Sequence, residues 1–324
     1  MSSKPTYPLY NTTYTLHRLS PLHAFPALTS TIDLTHHAKS LLSILRGDVL
    51  RGVRVRDDNN DDNDALSRAG KLKSVTWESL PSPSRWLQEP DDSDSDPDPD
   101  TDADTHPQGI VITFVYEKSV YTSLLLLSHL VAPATEVDEF TSLPLLLTRL
   151  PKSLRATLLS YLASTFDTLP LPLPLDSGTL KKLLEAWLEC TFSDDDKSSS
   201  GGVGKDIQIV FSAPVASLKA ITITVPRADV GGFFHRGKRM VAAGEGEEGE
   251  GAFFGALRHY TRAVMGLDIA VLGVMKIACG GFVLGVGASE TAAKVKVFPP
   301  RAGTRAAEGL VRGLVETSLV ATLK

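Results

Sequence analysis

The residues with the most chemical potential are a histidine pair, a glycine-rich run ending in lysine, several aspartate runs and three clusters of basic side chains. His36 and His37 are adjacent. Neighbours on a helix point about 100° apart, so they cannot form the same-face pair of a zinc protease. The pair predicts one half-buried ring and one exposed ring. Gly201, Gly202, Val203, Gly204 and Lys205 suggest a phosphate loop. That loop needs glycine where Ser199 stands, and serine or threonine where Asp206 stands. The run reads as a linker instead. Gly285, Val286 and Gly287 resemble a dinucleotide turn but lack its third glycine and following helix. The aspartate runs carry prolines and have neither the glycine hinge nor the closing glutamate of a calcium loop. No Gly-x-Ser-x-Gly elbow occurs. Cys190 and Cys279 stand far apart and read as reduced thiols. An enzymatic reading is left without a named residue, and no metal, cofactor or small-molecule ligand is expected.

The basic clusters fare better. Arg51, Arg54 and Arg56 fall on one predicted strand, with Arg54 and Arg56 on one face. Lys294 and Lys296 share a face opposite Val295 and Val297. His235, Arg236, Lys238 and Arg239 make a third cluster, read as a loop. The formal net charge is −5, yet 20 acidic residues lie in four short windows, 57–64, 91–104, 194–196 and 245–250. The remaining chain holds 18 acids against 33 lysines and arginines. A basic body with acidic insertions suits an anionic partner such as nucleic acid; a soluble body with ordinary surface lysines is the alternative. Between 268 and 290 the only lysine or arginine is Lys276. The alternating, valine-rich pattern there predicts two strands joined at Cys279–Gly281 rather than a membrane span. The first residues lack the apolar core of a secretory signal, so none is expected.

The elements that must position these residues follow from periodicity. Strands are predicted over 12–18, 49–56 and 73–80, with a helix over 33–46 capped by Asp33 or Thr31 and stopped at Gly47. Ile110, Ile112 and Phe114 begin a hairpin that returns over 120–127. Leu154, Leu158, Tyr161, Leu162 and Phe166 mark one helix; Leu180, Leu183, Leu184, Trp187 and Leu188 mark another. Ile207, Ile209 and Phe211 alternate, as do Ile221, Ile223 and Val225. Phe253, Leu257, Tyr260 and Val264 mark a helix ended by Gly266. Strands are predicted over 269–278, 282–286 and 294–298. The tail over 306–323 is ambiguous, because Gly309 and Gly313 weaken an otherwise helical charge pattern. The expected organisation is an α+β region over 1–192 with disordered acidic insertions near 57–70 and 81–108, a flexible linker over 193–205, and a strand-rich region over 206–324.

Several segments together resemble one family. The run from Tyr10 to Leu22, the string Gly47-Asp48-Val49-Leu50-Arg51-Gly52-Val53, and Leu143 to Pro151 leading to Ser164-Thr165-Phe166-Asp167-Thr168 are similar to the fungal relatives of centromere protein L. So are Lys276 to Gly285 and Lys294-Val295-Lys296-Val297-Phe298, in the family's order. The resemblance implies a curved, mostly antiparallel sheet with helices on one face, no catalysis, and a place in the nucleus at the centromere and kinetochore. It implies pairing with centromere protein N through the C-terminal sheet, beside other subunits of the constitutive centromere-associated network and the centromeric nucleosome.

On this reading the partner interface is Phe282, Leu284, Val295, Lys296, Val297 and Phe298, with the outer edge of 294–298 taking a strand from the partner. Nucleic-acid contact falls to Arg51, Arg54, Arg56, Lys294 and Lys296. The competing classes are a DNA-binding protein acting through its basic body and an enzyme of unrecognised class.

Overall fold

The computed structural model describes residues 7–50, 66, 68–83, 107–128, 139–192, 203–213, 218–244, 251–286, 292–300 and 305–322. Arg51, Arg54, Arg56 and most of the expected insertions and linker lie outside these residues. The chain divides into two compact units: Met1–Leu9, Tyr14–Pro172 and Ser318–Lys324 form the first, and Tyr10–Thr13 with Leu173–Thr317 the second. Each is α+β and mostly antiparallel, as the alternating and helical periods predict. No helix among the described residues is long and apolar enough to cross a membrane.

Unit 1 contains β1 (Thr13–Arg18), β2 (Leu22–His23), α1 (Thr31–Leu50), β3 (Leu72–Leu80), β4 (Gly109–Tyr116), β5 (Val120–Leu126), β6 (Phe140–Thr141), β7 (Leu145–Arg149), α2 (Lys152–Phe166) and β8 (Leu171–Pro172). Its main sheet runs β1, β7, β5, β4, β3, with β8 also on β1; β2 and β6 pair separately. Ile110, Ile112 and Phe114 point into a core closed by Leu34, Leu41 and Leu45 of α1 and Leu154, Leu158 and Leu162 of α2. Inside it, His37 lies 4.9 Å from the Phe166 ring and stacks on Trp77 at 5.9 Å. His37 is half-buried and His36 exposed, as their adjacency predicts.

Two expectations for α1 are corrected. Its cap is Ser30, whose hydroxyl accepts from the Asp33 N–H at 3.4 Å and donates to the Asp33 carboxylate at 2.5 Å. The helix also passes Gly47 and continues to Leu50, so Val49 and Leu50 are helical rather than the start of a strand. Glycine ends a helix by adopting positive φ, which Gly47 does not do. Its cost within a helix is only about 1 kcal/mol.

Unit 2 contains α3 (Ser177–Phe192), β9 (Ile207–Ser212), β10 (Ala220–Val225), α4 (Arg227–Ala242), α5 (Ala252–Met265), a 3-10 turn (Ile269–Val271), β11 (Val274–Ala278), β12 (Phe282–Gly285), β13 (Lys294–Val297) and α6 (Arg305–Thr322), which belongs here as far as Thr317. Its sheet runs β10, β9, β11, β12, β13. α3 packs under the sheet, with Trp187 edge-to-face on Phe282 at 5.8 Å. The ambiguous tail is helical. A Cβ on Gly313 would stand 2.6 Å from Leu183 Cδ2 of α3, so this glycine leaves room for the leucine side chain. The strand expected from 269 starts only at Val274. Residues 269–271 turn instead, with Asp268 capping Ala270 N–H at 3.0 Å.

Candidate functional site

Unit 2 presents a sheet with one buried and one open face. Ile207, Ile209, Phe211, Ile277, Phe282, Leu284, Val295 and Val297 all point inward and are at most 1% exposed. The period of two then sends their neighbours outward. Register places Thr222, Val210, Lys276, Gly285 and Lys294 in one row across five strands. Thr224, Gln208, Ala278, Val283 and Lys296 form the next row. Neither row holds an acidic residue. Lys276 and Lys294 are exposed and flank Gly285, about 10 Å apart at two strand spacings. Gly285 itself adds no side chain between them, and the Lys276 stem lies beside it.

One end of this face carries an aromatic ring between lysines. Lys205 Nζ lies 5.1 Å and Lys296 Nζ 5.3 Å from the Phe298 ring centre. The glycine run that failed as a phosphate loop therefore contributes a structural contact: the Lys205 ammonium meets Phe298, and Gly280 packs so close that a Cβ there would lie 1.9 Å from the Val203 carbonyl.

The expected interface residues separate into two groups. Phe282, Leu284, Val295 and Val297 are core side chains, unavailable to a partner. Lys296 and Phe298 are half-buried on the open face, beside the exposed Lys294. At Val297 the chain itself fills the edge of β13: Tyr10 bridges to Val297, and the Asn11 N–H donates to the Val297 carbonyl at 2.8 Å.

The other edge of the same sheet is different. β10 pairs antiparallel with β9 from Ala220 opposite Ser212 to Val225 opposite Ile207. Among the described residues it pairs with nothing else. Its sequence, Ala-Ile-Thr-Ile-Thr-Val, is uncharged and β-branched after the first residue. Natural edges are usually short, charged, bulged or interrupted by proline. Here Lys219 and Pro226 stand only at the two ends. The alternation over 221–225 makes the strand legible, but nothing in it says that the strand lies at an edge.

The third basic cluster is corrected from loop to helix. His235, Arg236, Lys238 and Arg239 lie on α4, held down by buried Val230, Phe234 and Gly237. Lys238 bridges to Glu189 at 3.0 Å and covers Phe234 at 5.0 Å. Arg236 Nη2 comes within 3.4 Å of His259 Nδ1 on α5. Arg258 donates to both oxygens of Asp268, at 2.8 and 3.1 Å. These bonds and the Ala270 N–H hold the Asp268 carboxyl down at about 2. Cys279 is buried, and desolvation pushes its thiol up to about 12, so it stays protonated at neutral pH. Among the described residues, no cluster of histidine, cysteine and carboxylate side chains could hold a metal ion.

The arrangement offers three surfaces for association: a lysine-bearing sheet face, an uncharged edge strand and a basic helical pair. A family model described as Centromere protein L matches residues 8–319. No curated protein matches the chain.

Proposed function

The chain belongs to the centromere protein L family, a kinetochore family, and on that premise we propose that it is a non-enzymatic scaffold subunit of the inner kinetochore that pairs with a centromere protein N-like subunit by strand addition to β10. One observation carries this reading: β10 is a six-residue, uncharged strand whose only partner among the described residues is β9. Strand addition satisfies the outward N–H and C=O groups of such an edge and draws its affinity from backbone hydrogen bonds. The edge of β13 is the weaker candidate, because Asn11 already bonds to Val297.

The experiment is coexpression and copurification with the centromere protein N-like subunit, using proline at Thr222 and, separately, at Ile223. Adjacent N–H groups on a strand point to opposite sides, so one of the two prolines removes an outward donor. That variant is expected to stay folded and lose the partner. If both variants fold and copurify fully, β10 is not the interface.

A second reading concerns DNA and rests on the acid-free rows holding Lys276, Lys294 and Lys296. In this reading the subunit helps link the centromeric nucleosome and its DNA to the kinetochore, with the open sheet face against the phosphate backbone. Reversal of Lys276 and Lys294 to glutamate should weaken DNA binding by the assembled complex, and added salt should mimic the loss. Unchanged affinity at low salt would remove these residues from the assignment.

A further inference from the structure

The apolar stripe of α5 extends past the core that it serves. Phe253 and Leu257 are 0% and 1% exposed, whereas Tyr260 and Val264, next on the same stripe, are 43% and 63% exposed. Met265 and Val271 follow at 62% and 79%. Single exposed apolar residues are ordinary on a protein surface, but four within residues 260–271 on one helix end and its turn form a concentration. The corner is braced. Leu267 N–H donates to the Thr261 carbonyl at 3.2 Å, and Asp268 on the turn holds Arg258 on the helix.

Two arginines flank the patch. Arg262 is exposed on α5 one turn before Met265, and Arg236 reaches α5 from α4 at His259. Asp268 is the only acid from 251 to 273, and Arg258 occupies both its oxygens. Arg262 stands 3.8 Å from Asp268 and keeps 57% of its side chain exposed, so its guanidinium retains room for a second carboxylate.

We propose that the C-terminal half of α5, with Val271, docks an acidic amphipathic segment of a partner protein. Its apolar side chains would cover Tyr260, Val264, Met265 and Val271, and its carboxylates would meet Arg236 and Arg262. Charge complementarity selects an acidic occupant, and the exposed apolar side chains select a protein over a nucleic acid, whose phosphates would gain nothing from them. The surface is independent of strand addition at β10.

The test uses the full chain and fluorescence anisotropy with short synthetic helical peptides. All carry leucine at alternating third and fourth positions, and they differ only in having glutamate, serine or lysine elsewhere; duplex DNA is the fourth probe. The glutamate peptide should bind best, more weakly as salt rises. Val264→Glu should weaken it by about tenfold or more, and Arg262→Glu should transfer the preference to the lysine peptide. Val264 is exposed, so Val264→Glu should melt like the parent; Arg262→Glu sets a carboxylate near Asp268 and should melt slightly lower; both should still copurify through β10. The proposal is overturned by serine or lysine peptides binding the parent as tightly as the glutamate peptide, by a glutamate peptide indifferent to Val264→Glu, or by duplex DNA proving the ligand most sensitive to both substitutions. Self-association abolished by Val264→Glu in sedimentation would assign the patch to a second copy and overturn it as well.

Discussion

The backbone N–H of Asn11 donates to the carbonyl of Val297 at 2.8 Å, and Asn11 does so from the left-handed region, at φ 57°. A residue from the start of the chain thus covers the edge of β13, a strand from near its end. Asparagine tolerates this conformation better than a β-branched residue does. Asn11→Gly is expected to be neutral. Asn11→Val should cost about 1–2 kcal/mol, and Asn11→Pro should cost more, since proline lacks the donor and cannot adopt positive φ. Thermal melting of the three variants checks the order.

His17 should make the protein acid-sensitive well above the carboxylate range. It lies on β1 opposite Leu146, 5% exposed. Burial first, and then the charge of Arg155, push its imidazole down to about 4, against a weaker opposing bond from the Thr15 backbone. The unfolded imidazole titrates near 6.5. Between these values the unfolded state binds more protons, so stability falls as pH drops through the window and levels off below it. The loss is bounded at about 3 kcal/mol. Urea denaturation at neutral pH and near pH 4.5 should show this slope in the parent and a flatter one in His17→Gln. Equal slopes would refute the assignment.

Asp268 should act in the adjoining, more acidic pH range. Its folded carboxyl sits at about 2, below its unfolded value near 4. Its contribution is therefore complete at neutral pH and is lost as pH falls through 4 towards 2. The melting-temperature difference between the parent and Asp268→Asn should be constant above about pH 5 and close below it. A difference that persists at pH 2 would mean that the pair with Arg258 is not its source.

Gly237 fixes the contact between α4 and α5. A Cβ there would stand 1.7 Å from the Ala252 carbonyl oxygen, a backbone atom that cannot rotate away. Gly237→Ala should therefore separate the two helices at a cost of about 1–3 kcal/mol. The same substitution at Gly232, where a Cβ meets nothing within 4 Å, should stabilise slightly through helix propensity. Opposite signs for the two alanines in chemical denaturation are the expected outcome.

Local periodicity determined much of this protein. The β4–β5 hairpin, α2, α3 and the inward set Ile207, Ile209 and Phe211 follow from spacing alone, because side chains alternate along a strand and recur every three or four residues on a helix. The family was legible too, since its turn and packing strings are contiguous. Tertiary structure decided what spacing leaves open. α6 is helical despite Gly309 and Gly313, which face Cys190 and Leu183 of α3. The basic cluster at 235–239 is helical because Val230, Phe234 and Gly237 pack it down. The strand expected from 269 begins with a turn, because Asp268 caps it and Arg258 anchors the cap. The choice of edge was likewise invisible: β10 and β13 carry similar alternating patterns, yet Asn11 covers one at Val297 while the other pairs only with β9 among the described residues. A strand's sequence sets which side chains face the core, but its free backbone groups depend on which strands lie beside it, and that is a property of the assembled sheet.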